Sequence, residues 1–171
     1  MRHAVIALAS LLLAAEARAE DCSFAAADDA LLLAPPDKAD QEIEVTEQQS
    51  VEGGAWWIYN GGTLAPQRIV RTDYGETGRT EHTLVTSGPN AFVIRRTYTR
   101  YSAPIYVTGS AVVREEVDYF RFCNGALDTP DEGEPDEAYV KSAQDAAAQY
   151  FNAPEIAGAV KAAGLKPPLW K

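Results

Sequence analysis

The sequence predicts an α+β domain, a single antiparallel β-meander of five or six strands covered by C-terminal helices. Three observations predict it. From Gly53 to Cys123, β-branched and aromatic runs are separated by short turns rich in Gly, Asn and Pro. These connections are too short for crossovers, so consecutive strands are antiparallel neighbours. After an acidic stretch the apolar period becomes helical, at Tyr139, Ala143, Ala146, Ala147 and Tyr150.

Residues 1–19 read as a secretory signal rather than as part of the fold. Arg2 and His3 precede an apolar run from Ala4 to Ala15, and Ala17-Arg18-Ala19 is a small-x-small cleavage site. The run is shorter than the roughly 20 residues a bilayer span needs, so no membrane span is expected after cleavage. The mature chain is expected to begin at Glu20 and to reside in the periplasm or outside the cell. Residues 20–171 have the size of one domain. The sheet is expected over about 41–125, an acidic linker over 126–136 and helices over about 137–165.

Each element has its own signal. Leu31-Leu32-Leu33 before Pro35-Pro36 reads as a short helix or a packed apolar knot, ended by the prolines. Gln41 to Ser50 admits either element: Ile43 and Val45 alternate with acids as in a strand, while the Glu/Gln content suits a helix. Ala55 to Tyr59 follows Gly53-Gly54 and ends at Asn60-Gly61-Gly62. Gln67 to Tyr74 and Arg79 to Thr86 flank Gly75-Glu76-Thr77-Gly78. Ala91 to Tyr101 is a long strand, with Phe92, Ile94, Arg96, Tyr98 and Arg100 on one side. Ile105 to Val107 extends again after Pro104, and Val112 to Cys123 precedes Asn124-Gly125. Asp136 is placed to cap the first C-terminal helix, and Pro154 to open a second one ending near Gly164.

The charge is −10; the signal segment carries +1, so the mature chain carries −11. Such a chain repels nucleic acid and anionic membranes; the charge reads first as a means of solubility and otherwise suits a basic envelope protein as partner. Residues 61–121 hold eight bases, all Arg, and six acids. Arg at this density on strands predicts ion pairs with Asp73, Glu81, Glu115, Glu116 and Asp118. Cys22 and Cys123 are the two cysteines. Outside the cytoplasm an even count predicts a disulfide, which would tie the mature N-terminus to the end of the last long strand.

The order Glu52-Gly53-Gly54, an aromatic strand, Gly61-Gly62, Tyr74-Gly75-Glu76-Thr77-Gly78, Pro104-Ile105-Tyr106 and Tyr119-Phe120 resembles a group of uncharacterised exported bacterial proteins. The resemblance covers about residues 52–125. It implies one antiparallel sheet with helices at its flanks, and it implies no activity.

Candidate sites are few. Glu76, between Gly75 and Gly78, sits where turn carboxylates cap backbone N–H groups, a structural role. His82, the one histidine beyond the signal, lies on a strand beside Leu84 and reads as a packed residue rather than a general base. One His and two paired Cys are too few to hold zinc, so no metal or other cofactor is expected. Acids at 128–137 do not have the spacing of a calcium loop. Trp56 and Trp57 face opposite sides of their strand, so one belongs to the core and the other lies on the exposed face, where it could stack on a partner, or under a helix. With Arg96, Tyr98 and Arg100 they form the candidate binding set. The expected function is a non-enzymatic protein-interaction module, inhibitor-like in build. The alternative is a glycan-binding module of the envelope using the Trp/Tyr-rich strands.

Overall fold

Alternation and turn chemistry produce seven antiparallel strands in sequence order in the computed structural model, which describes residues 22–45, 52–61, 66–88, 90–129 and 136–170. Residues 1–21, read above as a signal segment and the start of the mature chain, lie outside the described residues, as do 46–51 and the acidic residues 130–135. The strands are β1 (Gln41–Glu44), β2 (Gly54–Tyr59), β3 (Arg68–Gly75), β4 (Gly78–Gly88), β5 (Ala91–Tyr101), β6 (Val112–Cys123) and β7 (Ala126–Asp128). With the helices α1 (Ala25–Leu32), α2 (Glu137–Phe151) and α3 (Ala157–Ala162) they make an α+β fold.

The strand number corrects the expected five or six. Asn124 and Gly125 both have positive φ, 53° and 83°, the geometry of the two-residue turn that matches strand twist. The chain therefore folds straight back, and Ala126–Asp128 pairs with Arg121–Cys123. Three residues are too few to display alternation, so composition alone assigned them to the acidic segment. At the other edge, Gln41–Glu44 is a strand paired with Ala55–Ile58. Ile105 to Val107, expected to extend, instead forms successive tight turns. Val107 N donates to Pro104 O at 2.8 Å and Ser110 N to Val107 O at 3.0 Å, and Gly109 supplies the positive φ of 88°.

The Gly53-Gly54 pair has two distinct causes. Gly53 adopts φ 84°. At Gly54 a side chain would meet the carbonyl oxygen of Thr72 at 2.6 Å, because β2 and β3 approach closely where Gly54 pairs with Asp73. Gly54→Ala is expected to destabilise the fold by about 2 kcal/mol, the usual cost of overpacking a tight site. Urea unfolding checks it; an unchanged midpoint would mean the strands part freely there.

The two sheet faces are covered unequally. On one face Trp56, Ile58, Ile69, Leu84, Phe92, Ile94, Phe120 and Phe122 pack under the Ala143, Ala146, Ala147 and Tyr150 stripe of α2, with Ile156 and Val160 beyond. Small side chains on α2 let the helix approach the sheet closely. Tyr150 is fully buried, its ring meets Trp56 edge-on at 5.4 Å, and its hydroxyl donates to Ile69 O at 3.3 Å. Asp136 caps α2, its Oδ1 accepting from Ala138 N at 3.2 Å.

Among the described residues α1 alone covers the opposite face, seating Ala27 and Leu31 on Val85 and Val93. Arginines hold it there. Arg68 donates to Leu33 O at 3.2 Å and to Ala30 O, and Arg95 to Leu31 O at 3.0 Å, satisfying carbonyls at the helix C-terminus. Arg121 pairs with Asp28 at 3.1 Å. The Cys22–Cys123 disulfide, with Cα atoms 5.8 Å apart, ties the segment just before α1 to the end of β6.

Candidate functional site

Strand register lays side chains in rows across the sheet. One row on the α2 face runs Ile43, Trp56, Arg71, His82, Arg96, Asp118. Its first members lie in the core, and its last members emerge beside α2. There a cleft of 330 Å³ opens, floored by Thr80, His82, Arg96, Tyr98, Glu116 and Asp118 and walled by Asp145, Ala146 and Gln149.

Charges in and around this cleft are largely paired. Arg96 grips Asp118 from Nε and Nη2 at 3.0 and 2.7 Å, and its guanidinium lies over Phe120. Arg114 pairs with Glu116. Lys141 pairs with Asp145 at 3.2 Å, one helical turn along α2. Deeper in the row, Arg71 is buried between the Trp56 ring, 5.2 Å away, and Asp73, which accepts at 2.8 and 3.0 Å. Of the acids expected to pair with arginine, Asp73, Glu81, Glu116 and Asp118 do so. Among the described residues no ion pair forms at Glu115.

His82 sits between Arg71 and Arg96 and is only 7% exposed. Burial holds its pKa down at about 4; Asp73 opposes that shift, and Arg96 and Arg71 add to it. It is therefore neutral at pH 7, and its Nδ1 is buried with no hydrogen-bond partner among the described residues. A neutral imidazole with an empty nitrogen can orient a polar ligand or a water. Among the described residues no three His, Cys, Asp or Glu side chains converge in a way that could hold a metal ion.

The structure divides the candidate binding set. Arg96 and Tyr98 meet in the cleft, and Arg100 continues the same face as an exposed residue. Trp56 is fully buried under α2 and presents no free ring, which removes it from the set. Trp57 points to the α1 face, half-buried beside Val70 of the neighbouring strand, and takes no part in the cleft. Glu76 and Thr77 form the turn between the paired Gly75 and Gly78. Their contribution is main-chain: Glu76 O accepts from Ile105 N and Thr77 O from Tyr101 N, each at 2.9 Å. A side chain at Gly78 would press on Thr99 O at 3.2 Å.

Beside the cleft lies a second feature that residue types alone did not announce. β6 pairs with β5 along its length but with β7 only at Arg121–Cys123. Residues 112–117 are all exposed, and Val112, Val113, Val117 and Tyr119 are each at least 43% exposed. Ile105, Tyr106 and Val107 of the preceding loop are exposed as well. Glu115, Glu116 and Asp118 run through it. The available signal was the sequence Val112-Val113-Arg114-Glu115-Glu116-Val117, in which alternation fails, as it does where neither face of a strand is deeply covered.

No protein-family model, curated protein or solved structure matches this chain. Among the described residues no helix is long and apolar enough to cross a membrane.

Proposed function

We propose that this chain is a non-enzymatic, exported interaction domain that presents the β6 side of its sheet to a basic protein of the cell envelope. The observation carrying this reading is the exposure of Val112, Val113, Val117 and Tyr119 along β6, a strand that also carries Glu115, Glu116 and Asp118. Exposed apolar side chains gathered on one strand favour a protein partner, and a net charge of −11 on the mature chain selects a basic one. The disulfide is compatible with a life outside the cytoplasm. The resemblance to exported proteins assigns no activity, so the function rests on this surface.

The test uses the mature, oxidised chain as bait in envelope extract, with cross-linking at low and at high salt. A single basic protein is expected, lost at high salt and lost when Glu115 and Glu116 are both changed to Lys. Recovery that ignores salt and both substitutions would sink the reading.

The cleft favours a second reading, a glycan site. Tyr98 offers a ring, and Thr80, Gln149, Arg96 and His82 offer polar groups within 330 Å³. No tryptophan lines it, so intrinsic tryptophan fluorescence is a poor reporter. Calorimetric titration with wall fragments against Tyr98→Ala separates this reading from the first. Heat that survives the substitution would exclude the cleft.

A further inference from the structure

We infer that the cavity between α1 and the start of β3 binds a small amphipathic anion, a single carboxylate on an apolar chain, with the Arg68 guanidinium as its counter-charge. This site shares no residue with the β6 surface or with the cleft beside α2.

The cavity has a volume of 670 Å³, against 330 Å³ for the α2 cleft, and falls in the size range of small-molecule sites. Its walls are mostly apolar. Ala26 and Ala30 come from α1, Leu33, Ala34 and Pro36 from the segment that follows, and Pro66 from just before β3. Such walls suit an apolar body.

Arg68 selects the head. Two arginines are buried among the described residues, and they differ in one respect. Arg71 holds Asp73 through hydrogen bonds of 2.8 and 3.0 Å. Arg68, 8% exposed and lining the cavity, pairs with no carboxylate among the described residues. It donates to two neutral carbonyls, Leu33 O at 3.2 Å and Ala30 O, and uses two of the five donors a guanidinium carries. The carbonyl end of α1 supplies only the partial negative charge of a helix terminus. Arg95 draws on the same end through Leu31 O at 3.0 Å, and Glu81 is spent on Arg95 at 3.4 Å. Burial and the nearby Arg95 both press the Arg68 pKa down, against Tyr59 and Glu81. A buried cation calls for a counter-ion, and the cavity is where one can enter. Tyr59 stands opposite Arg68 in the β2–β3 register and lines the same cavity. Its hydroxyl has no hydrogen-bond partner among the described residues, so it offers a second donor to the head.

The rim does not choose the ligand. Lys38, Asp29 and Asp40 line it and are exposed, and Asp40 accepts from Asn60 N at 2.7 Å. One lysine against two acids exerts no net pull on an anion, and the two acids oppose a head of higher charge. The class is therefore a monoanion. The net negative charge of the chain acts from farther away and is screened by salt within about 10 Å, so it slows encounter without cancelling a buried contact.

The mature, oxidised chain is titrated calorimetrically with octanoate, 1-octanol and octylammonium, and amide shifts locate each probe. Octanoate is expected to bind about tenfold or more tightly than the other two, the gain from hydrogen bonds to a buried charge. It should shift the amides of Ala30, Leu33 and Tyr59 and leave Ala146 and Gln149 of the α2 cleft unmoved. Ala34→Trp fills the cavity from an exposed wall position and should abolish octanoate binding. Tyr59→Phe should weaken octanoate by about threefold to tenfold and leave octanol unchanged. Arg68→Gln should bring octanoate down to the level of octanol; should that variant release α1, Ala34→Trp and Tyr59→Phe decide. Octanol or octylammonium binding as tightly as octanoate would overturn the proposal. So would octanoate binding that survives Ala34→Trp, shifts that fall in the α2 cleft instead, or no octanoate binding at millimolar concentration.

Discussion

Removing the Cys22–Cys123 bond is expected to lower the stability of the fold by about 4–5 kcal/mol and to free α1 before the sheet unfolds. The size follows from the 101-residue separation of the two cysteines. Chain-entropy arguments put the closure of a loop of this length at that figure, toward the upper end of what native disulfides contribute. The order of events follows from how little else holds α1. It has eight residues, too few for a stable isolated helix. It buries only Ala27 and Leu31, and its N-terminal boundary at Phe24 makes no side-chain cap. Besides these it is held by Arg68 and Arg95 on its carbonyls, Arg121 on Asp28, partial packing of Phe24 and Ala30, and the Ser87 hydroxyl on Ser23 O just before it. Urea unfolding of the oxidised chain against the Cys22→Ser, Cys123→Ser double variant gives the magnitude. Amide exchange in the folded variant gives the order, with Asp28 to Leu32 expected to lose protection while β3 to β5 keep theirs. A loss below about 1 kcal/mol, or α1 amides as protected as before, would show that the arginine contacts alone fix the helix and that the disulfide constrains little in the unfolded chain.

The same segment shows what the sequence leaves illegible. The strands of the meander could be read because each boundary has local chemistry: Gly53-Gly54, Asn60-Gly61, Gly75 to Gly78 and Asn124-Gly125 all have physical reasons that operate within a few residues. The helical stripe of α2 and its Asp136 cap were readable for the same reason. The place of α1 was not. Nothing near Ala25 states that it will lie on the face opposite α2, because that is decided by Val85, Val93 and three arginines far along the chain. Those arginines were visible as ion-pair formers. Their use on α1, where Arg68 and Arg95 close helix carbonyls and Arg121 pairs with Asp28, depends on a helix whose position could not be known. The candidate site divides in the same way. Alternation correctly put Arg96, Tyr98 and Arg100 on one face, and it put Trp56 and Trp57 on opposite faces. Which tryptophan is buried depends on where α2 crosses, and the exposure of residues 112–117 of β6 goes with β7 ending after three residues. Register likewise brings His82 between Arg71 and Arg96, three residues from three strands that no local pattern links.

That row makes His82 the source of the second large effect, an acid sensitivity arising well above the ordinary carboxylate range. Burial holds its pKa at about 4, against 6.5 for an exposed histidine, and the flanking Arg71 and Arg96 work in the same direction while Asp73 works against it. Glu116, Asp118 and Asp145 also line the cleft beside it, but Asp118 is committed to Arg96, Glu116 to Arg114 and Asp145 to Lys141. The unfolded chain therefore takes up a proton on this residue as pH falls through 6.5, whereas the folded chain refuses it until about pH 4. Stability from this group is fully present above pH 6.5, declines below it, and is lost by about pH 4, amounting to about 3 kcal/mol over that window. Denaturation midpoints measured between pH 7 and 4.5 are expected to fall steeply in the native sequence and much less in His82→Gln, with the carboxylate contribution common to both. The difference between the two curves should approach about 1.4 kcal/mol per pH unit, the slope of one proton bound only by the unfolded state. Parallel curves would mean that the imidazole protonates in place. The cleft would then admit enough water, or enough of the Asp118 charge, to hold a cation between two arginines, and the packed, neutral histidine at its floor would have to be given up.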